Sequence, residues 1–278
     1  MSDLIRYEGS DKVMHFVDYL KERELSGLNN RCFKSGFKSF DEKLGGIESG
    51  EVVVISGRTK NGKTLFAESW INNILETDEH AAAMILSFEV QAQKLFQKYS
   101  NRPDKMLFLP RELKTMDYQW LKDRCLEAKL KFGCQIVLID HLHFMVDMNT
   151  KQNMSLNIGA FMRVLKKEVA NELDMAVILI AHQSQMDKKE SAGIDSIRDS
   201  SFVGQEADSI IIVSRRKDLT SDELEEVDPE KVLSLPLRNV EDNYSQGLAL
   251  VTIERTRRTG TYEYKKLFIK RGEFLEEF

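Results

Sequence analysis

Apolar residues in this chain follow two periods. Short, β-branched runs recur at Val52–Ser56, Ala83–Phe88, Ile136–Ile139, Ala176–Ala181, Ser209–Ser214, Leu248–Ile253 and Lys266–Ile269, and each predicts a strand. Between the first four of them lie stretches with helical spacing at Thr64–Leu75, Ala92–Tyr99, Tyr118–Phe132 and Leu156–Leu173. Strands that are apolar along their whole length need cover on both faces. The pattern therefore predicts an α/β fold, a central, mostly parallel sheet flanked by helices. The last strands follow one another without helices between them and predict an antiparallel C-terminal extension.

Near the start, Val13, Phe16, Val17 and Leu20 fall at helical spacing, with Ser10 placed as an N-cap. They predict a short amphipathic helix, set apart from the rest by Glu24–Arg31. The expected organisation is a linker segment over 1–34 and one large domain over 35–278. The helix has two readings, packed on its own domain or docked on a neighbouring subunit. Asp218–Gln246, with its acidic run Asp222-Glu-Leu-Glu-Glu226, breaks the alternation and reads as a solvated surface excursion.

Composition narrows the class. Of 278 residues, 42% are hydrophobic and 31% charged, as expected of a globular protein with a large core. No apolar run approaches the roughly 20 residues of a membrane span. The opening Met1-Ser-Asp-Leu-Ile-Arg6 lacks the apolar core of a secretion signal, so a cytoplasmic protein with no membrane partner is expected. Cys32, Cys125 and Cys134 are an odd, unpaired set that reads as reduced thiols. A net charge of -5 argues against a generally basic surface that coats nucleic acid, but leaves room for a basic channel.

The chemistry begins at Gly57-Arg-Thr-Lys-Asn-Gly-Lys-Thr64, which matches G-x-x-x-x-G-K-[ST] between a predicted strand and a predicted helix. Glycines let the backbone turn so that its N–H groups converge on phosphate oxygens, and the helix N-terminus adds its positive end. The reading is an ATP site of P-loop NTPase type. Gly57, Arg58, Asn61, Gly62, Lys63, Thr64 and Leu65 would line it, with Lys63 on the β- and γ-phosphates and Thr64 on Mg²⁺.

A magnesium-dependent phosphoryl transfer also needs a carboxylate at a neighbouring strand end, and Asp140, closing Ile136-Val-Leu-Ile-Asp140, supplies it. Glu89, just past the strand at 83–88, is the candidate base. His141 and His143 invite a zinc reading, but alternate residues of a strand point to opposite faces and no further ligand stands near in sequence. His182, at the tip of the 176–181 strand, could touch the γ-phosphate or be a satisfied structural residue. Arg255 and Arg257 share one strand face by period two. They could pair with local acids or project into an ATP site as arginine fingers.

Together these segments resemble the RecA-like motor domain of DnaB-family replicative helicases over nearly the whole chain. Ser35-Gly-Phe-Lys-Ser-Phe-Asp-Glu-Lys-Leu-Gly-Gly-Ile-Glu-Ser-Gly-Glu51 is similar to that family's lead-in to its phosphate loop, Leu86-Ser-Phe-Glu89 to its base motif, and Val137-Leu-Ile-Asp-His-Leu-His143 to its magnesium-aspartate motif. The segment from Ile194 to Asp208 is similar to the stretch that faces DNA in the family. The resemblance implies that Glu89 is the catalytic base, His182 a γ-phosphate sensor, and Arg257 a finger acting on the neighbouring subunit, accompanied by Arg255. It implies a homo-oligomeric, typically hexameric ring that translocates 5′ to 3′ on single-stranded DNA during replication, with a primase or loader as a possible partner. The turn at Arg258-Thr-Gly260 is shorter than the family's, and the acidic excursion longer.

Lys188, Lys189 and Arg198, with Lys151, are the candidate DNA contacts; lysines in loops are also commonly just solvated. Phosphate contacts would give affinity without sequence preference. Two other readings share the core: a recombinase-type filament ATPase, and a nucleotide-gated scaffold that never moves DNA.

Overall fold

A computed structural model describes residues 13–25, 31–99, 105–146, 154–182, 200–215 and 248–277. The chain divides into two compact units, Met1–Arg31 and Cys32–Phe278. The first holds α1 (Phe16–Leu25), whose first amides, from Asp18 and Tyr19, bond to the His15 carbonyl. The helix thus starts after His15; Ser10, the expected cap, lies outside the described residues.

The second unit is built on β1 (Cys32–Phe33), α2 (Lys38–Leu44), β2 (Ile47–Glu48), β3 (Val52–Gly57), α3 (Lys63–Thr77), β4 (Ala83–Ser87), α4 (Ala92–Tyr99), β5 (Leu107–Phe108), α5 (Tyr118–Phe132) and β6 (Ile136–Asp140). It continues with α6 (Met154–Val164), β7 (Ala176–His182), α7 (Ser200–Glu206), β8 (Ser209–Arg215), β9 (Leu248–Thr256), β10 (Tyr262–Arg271) and β11 (Phe274–Glu277). The helix expected over Leu156–Leu173 is two pieces, since α6 passes into π-type winding over Leu165–Asn171. β1 pairs with β2, and the other nine strands form one sheet in the order β11-β10-β9-β8-β3-β7-β6-β4-β5.

The six strands from β8 to β5 run parallel and β9 to β11 antiparallel, as the change from helix-separated to consecutive strands predicts. β3 is the central strand. Its register, Val52 opposite Val177 and Gly57 opposite His182, puts the C-terminal ends of β3 and β7 level. Ser87 opposite Asp140 does the same for β4 and β6. Gly57, Ser87, Asp140 and His182 therefore share one edge of the sheet, while Val52 and Asp208 mark the other.

Alternation along β3 divides the core. Val52 and Val54 face a layer made by α5, α6 and α7, with Trp120, Phe161, Met162 and Val203. Val53 and Ile55 face α2 and α3, where Phe40 and Phe66 meet both Trp70 and Phe268 of β10. Each such fully buried side chain contributes on the order of 1.5–3 kcal/mol, which is how the sheet holds its edges in fixed register. No described helix is long and apolar enough to cross a membrane.

Candidate nucleotide-binding site

β3 ends at Gly57, where an added Cβ would stand 2.2 Å from the Val213 carbonyl oxygen of β8, so only glycine allows the two strands to pair there. The chain then turns through Lys60 (φ 68°) and Gly62 (φ 92°), and α3 starts at Lys63 with no acidic residue in its first turn. Its unpaired amides and positive dipole end open on a cavity of about 960 Å³ lined by Thr59, Lys60, Gly62, Lys63, Thr64 and Leu65. Lys94 and Lys98 of α4 and the tip residues Glu89 and His182 add to the wall, with Glu68 and Glu273 among the rest of it.

Lys63 is buried, and its ammonium donates to the Arg58 carbonyl at 2.9 Å. Burial pulls its pKa down to about 8, against the opposing pull of Glu89 and Asp140. A cation held half-desolvated beside two carboxylates and a row of helix amides is arranged to receive an anion. Asn61 differs from expectation: its amide turns to the Val213 carbonyl at 3.4 Å and does not line the cavity. Gly57 likewise answers strand packing, and neither it nor Arg58, whose carbonyl takes the Lys63 ammonium, is part of the wall.

Asp140, 1% exposed at the tip of β6, accepts from the Thr64 hydroxyl at 3.0 Å. Burial pushes its carboxyl up to about 7, against the Thr64 hydrogen bond, and the charges of Glu89 and Glu68 add to the rise. Its other oxygen, Oδ1, is buried without a hydrogen-bond partner among the described residues. An orphaned carboxylate oxygen beside a threonine hydroxyl is a donor set that suits Mg²⁺.

Glu89 lies two residues beyond β4, and its Oε1 meets two imidazoles, His141 Nε2 at 2.9 Å and His182 Nε2 at 3.2 Å. Burial pushes the Glu89 carboxyl up, but the two histidines outweigh it and hold the group below its ordinary value. Burial, then the charge of His182, brings His141 down to about 4, and burial with the charge of Lys63 lowers His182. This node is where the sequence reading of the histidines fails. β6 stops at Asp140, and a 3₁₀ turn over Leu142–Phe144 replaces the extended backbone that would have sent His141 and His143 to opposite faces. Their rings lie 4.2 and 5.5 Å from His182, a residue far away in sequence.

At the other edge of the sheet, β9 ends at Thr256 and Arg257 begins the turn that follows. Its backbone N–H bonds to the Asp208 carbonyl, and its half-exposed guanidinium reaches the Gln205 carbonyl and lies 3.9 Å from Asp208. Arg255 approaches Gly204 on the same α7 side, so the shared face holds; its Nε and Nη2 are buried. Neither arginine is near Lys63, because the length of β3, roughly 17 Å of strand, separates the edges. Arg258, by contrast, binds Glu48 and the Gly46 carbonyl and pairs with Glu51, tying the turn to β2. Lys151, Lys188, Lys189 and Arg198 lie outside the described residues.

The DnaB-like helicase C-terminal domain model matches residues 32–106 and 100–271 of this chain. The chain belongs to that family. The matched span begins where the second unit begins and ends with β10. The chain is 25% identical over 246 residues to a probable plasmid replicative DNA helicase of Chlamydia psittaci, across 76% of this chain and 52% of that protein. It is 21% identical over 225 residues to the replicative DNA helicase DnaB of Rickettsia prowazekii, across 66% and 46%. The chain thus spans about half the length of the curated relatives it matches.

Two solved structures share its fold. A DnaB-like replicative helicase, described with its interactions with primase, superposes with a TM-score of 0.67 at 20% identity over 99% of this chain and 70% of the other. The second, the structure of an ATPase domain, does so with 0.62 at 20% over 91% and 93%. The architecture is therefore the RecA-like one of DnaB-family ATPase domains, with a mixed nine-stranded sheet and antiparallel C-terminal strands.

Proposed function

We propose that residues 35–278 are the ATP-driven motor of a replicative DNA helicase, assembled as a ring with ATP held between subunits and single-stranded DNA threaded through it. Residues 1–34 are then the segment that links each subunit to its neighbour. The observation that carries this reading is the separation of Lys63 and Arg257 to opposite edges of one sheet. A site with its phosphate lysine, aspartate and glutamate at one edge and its half-exposed arginine at the other is complete only when two copies meet edge to edge.

In such a pair, Lys63 and the amides of α3 neutralise the β- and γ-phosphates. Thr64 and Asp140 would hold a magnesium ion, which supplies charge neutralisation when bound. Glu89 orients the attacking water and takes its proton, and Arg257 from the adjacent subunit meets the charge that develops. His182 touches both Glu89 and the cavity, so it can sense loss of the γ-phosphate. The chain that follows His182 carries Lys188, Lys189 and Arg198, which we assign with Lys151 to backbone phosphates of the DNA. A primase or loader partner and 5′-to-3′ movement belong to the same proposal.

The test is ATP hydrolysis with and without single-stranded DNA. A motor's turnover is coupled to its track, so DNA should accelerate it several-fold, and more weakly as salt rises. Hydrolysis indifferent to DNA would favour a nucleotide-gated scaffold, and filaments in place of closed rings in negative-stain images would favour a recombinase-type polymer.

A further inference from the structure

Glu89, His141 and His182 each offer one donor atom, and these atoms all lie within 4.8 Å of one another. The two nitrogens stand 2.9 and 3.2 Å from the carboxylate oxygen. Ligand atoms around a tetrahedral zinc ion, at bond lengths of about 2.0–2.2 Å, are roughly 3.3 Å apart. The two separations from Glu89 are thus already close to the spacing such an ion would impose, and the third lies within 4.8 Å. Two imidazoles and one carboxylate form the set that leaves a fourth, open position in catalytic zinc sites.

We propose that Glu89, His141 and His182 form a binding site for a divalent transition ion of the zinc type, and that its occupation halts ATP turnover by withdrawing Glu89 from the water it would activate. The site itself stands on geometry alone; the arrest rests on the reading of Glu89 as the base.

Two features support it. Glu89 and His182 line the 960 Å³ cavity, which gives an ion and its water a way in. The ion's softness separates this site from Thr64–Asp140: nitrogen donors suit zinc, whereas magnesium prefers an all-oxygen shell.

The proton count closes. Each neutral imidazole exchanges its Nε2–H···O hydrogen bond for an Nε2–metal bond and shifts its single proton from Nε2 to Nδ1, so none is released. For His182 this breaks nothing, since its Nδ1 is buried without a hydrogen-bond partner among the described residues. For His141 it gives up a 3.3 Å contact from the His143 N–H. That loss makes the affinity modest and the binding reversible.

The experiment titrates the full chain with Co²⁺ in the absence of nucleotide, follows the visible d–d absorption, and then displaces the ion with Zn²⁺. A d–d band without a thiolate charge-transfer band is expected, which sets the cysteines aside. His182→Ala should weaken binding by more than about a hundredfold, beyond the ~10–100-fold that outer-shell changes typically cost. Glu89→Gln, which keeps the shape and removes the charged ligand, should weaken it too, and the exposed His80→Ala should not. In parallel, buffered free Zn²⁺ should stop hydrolysis in excess Mg²⁺, and a chelator should restore it. No band, or one indifferent to both His182→Ala and Glu89→Gln, overturns the site. A normal band with undiminished hydrolysis overturns the arrest. A band in a protein that never hydrolyses ATP overturns the motor reading and leaves the site standing.

Discussion

Thr64 Oγ1 and Asp140 Oδ2 stand 3.0 Å apart, joining the first turn of α3 to the tip of β6. The contact satisfies one carboxylate oxygen and leaves Oδ1 without a hydrogen-bond partner among the described residues. Such a group costs the free protein stability and is repaid when a cation arrives.

That cost is measurable. Burial holds the Asp140 carboxyl at about 7, above its ordinary 3.8, so the folded state keeps a proton that the unfolded chain has lost. Its contribution to stability therefore falls as pH rises from about 4 to about 7. Asp140→Asn, which imitates the protonated form, should raise the melting temperature of the nucleotide-free protein near pH 8. The gain should be on the order of 1–4 kcal/mol and fade towards about pH 4. Hydrolysis should be abolished at both ends of that range.

Arg257 and Arg258 are neighbours in sequence with separate tasks. Arg258→Ala removes the partner of Glu48, Glu51 and the Gly46 carbonyl. It should destabilise by about 1–3 kcal/mol in urea melts. Arg257→Ala removes a half-exposed group at 3.9 Å from its acid and should cost less than about 1 kcal/mol, with ATP binding nearly intact and turnover lost.

Gly57→Ala drives a Cβ to 2.2 Å from the Val213 carbonyl. That oxygen belongs to β8, whose pairing with β3 fixes the core. The neighbour cannot yield cheaply, and a loss on the order of 3 kcal/mol or more is expected, seen as a lowered melting midpoint or insoluble protein.

The sheet was legible because its signals are local and repeated: four apolar runs with helices between them predict parallel strands, and the phosphate loop is written in consecutive residues. The edge-sharing of Gly57, Asp140 and His182 followed from that topology. What was illegible depended on where a strand stops. Treating His141 and His143 as a continued strand separated their rings, whereas the chain breaks into a 3₁₀ turn and gathers both beside His182. Asn61 and Arg258 illustrate a second limit. Each sits inside a recognisable motif, yet its partners, Val213, Glu48 and Glu51, come from far along the chain, and spacing does not reveal them. β11, short and acidic at Phe274-Leu-Glu-Glu277, carries no alternation strong enough to announce a strand.

The claim on which the account turns is that one copy's Lys63 edge is completed by another copy's Arg257 edge. Lys63→Ala and Arg257→Ala should each be inactive alone. Co-assembled, they pair an intact phosphate loop from the arginine variant with an intact arginine from the lysine variant, so ATP hydrolysis should reappear as a fraction of the wild-type rate that varies with mixing ratio. A mixture that forms joint assemblies and stays inactive at every ratio would contradict the shared site.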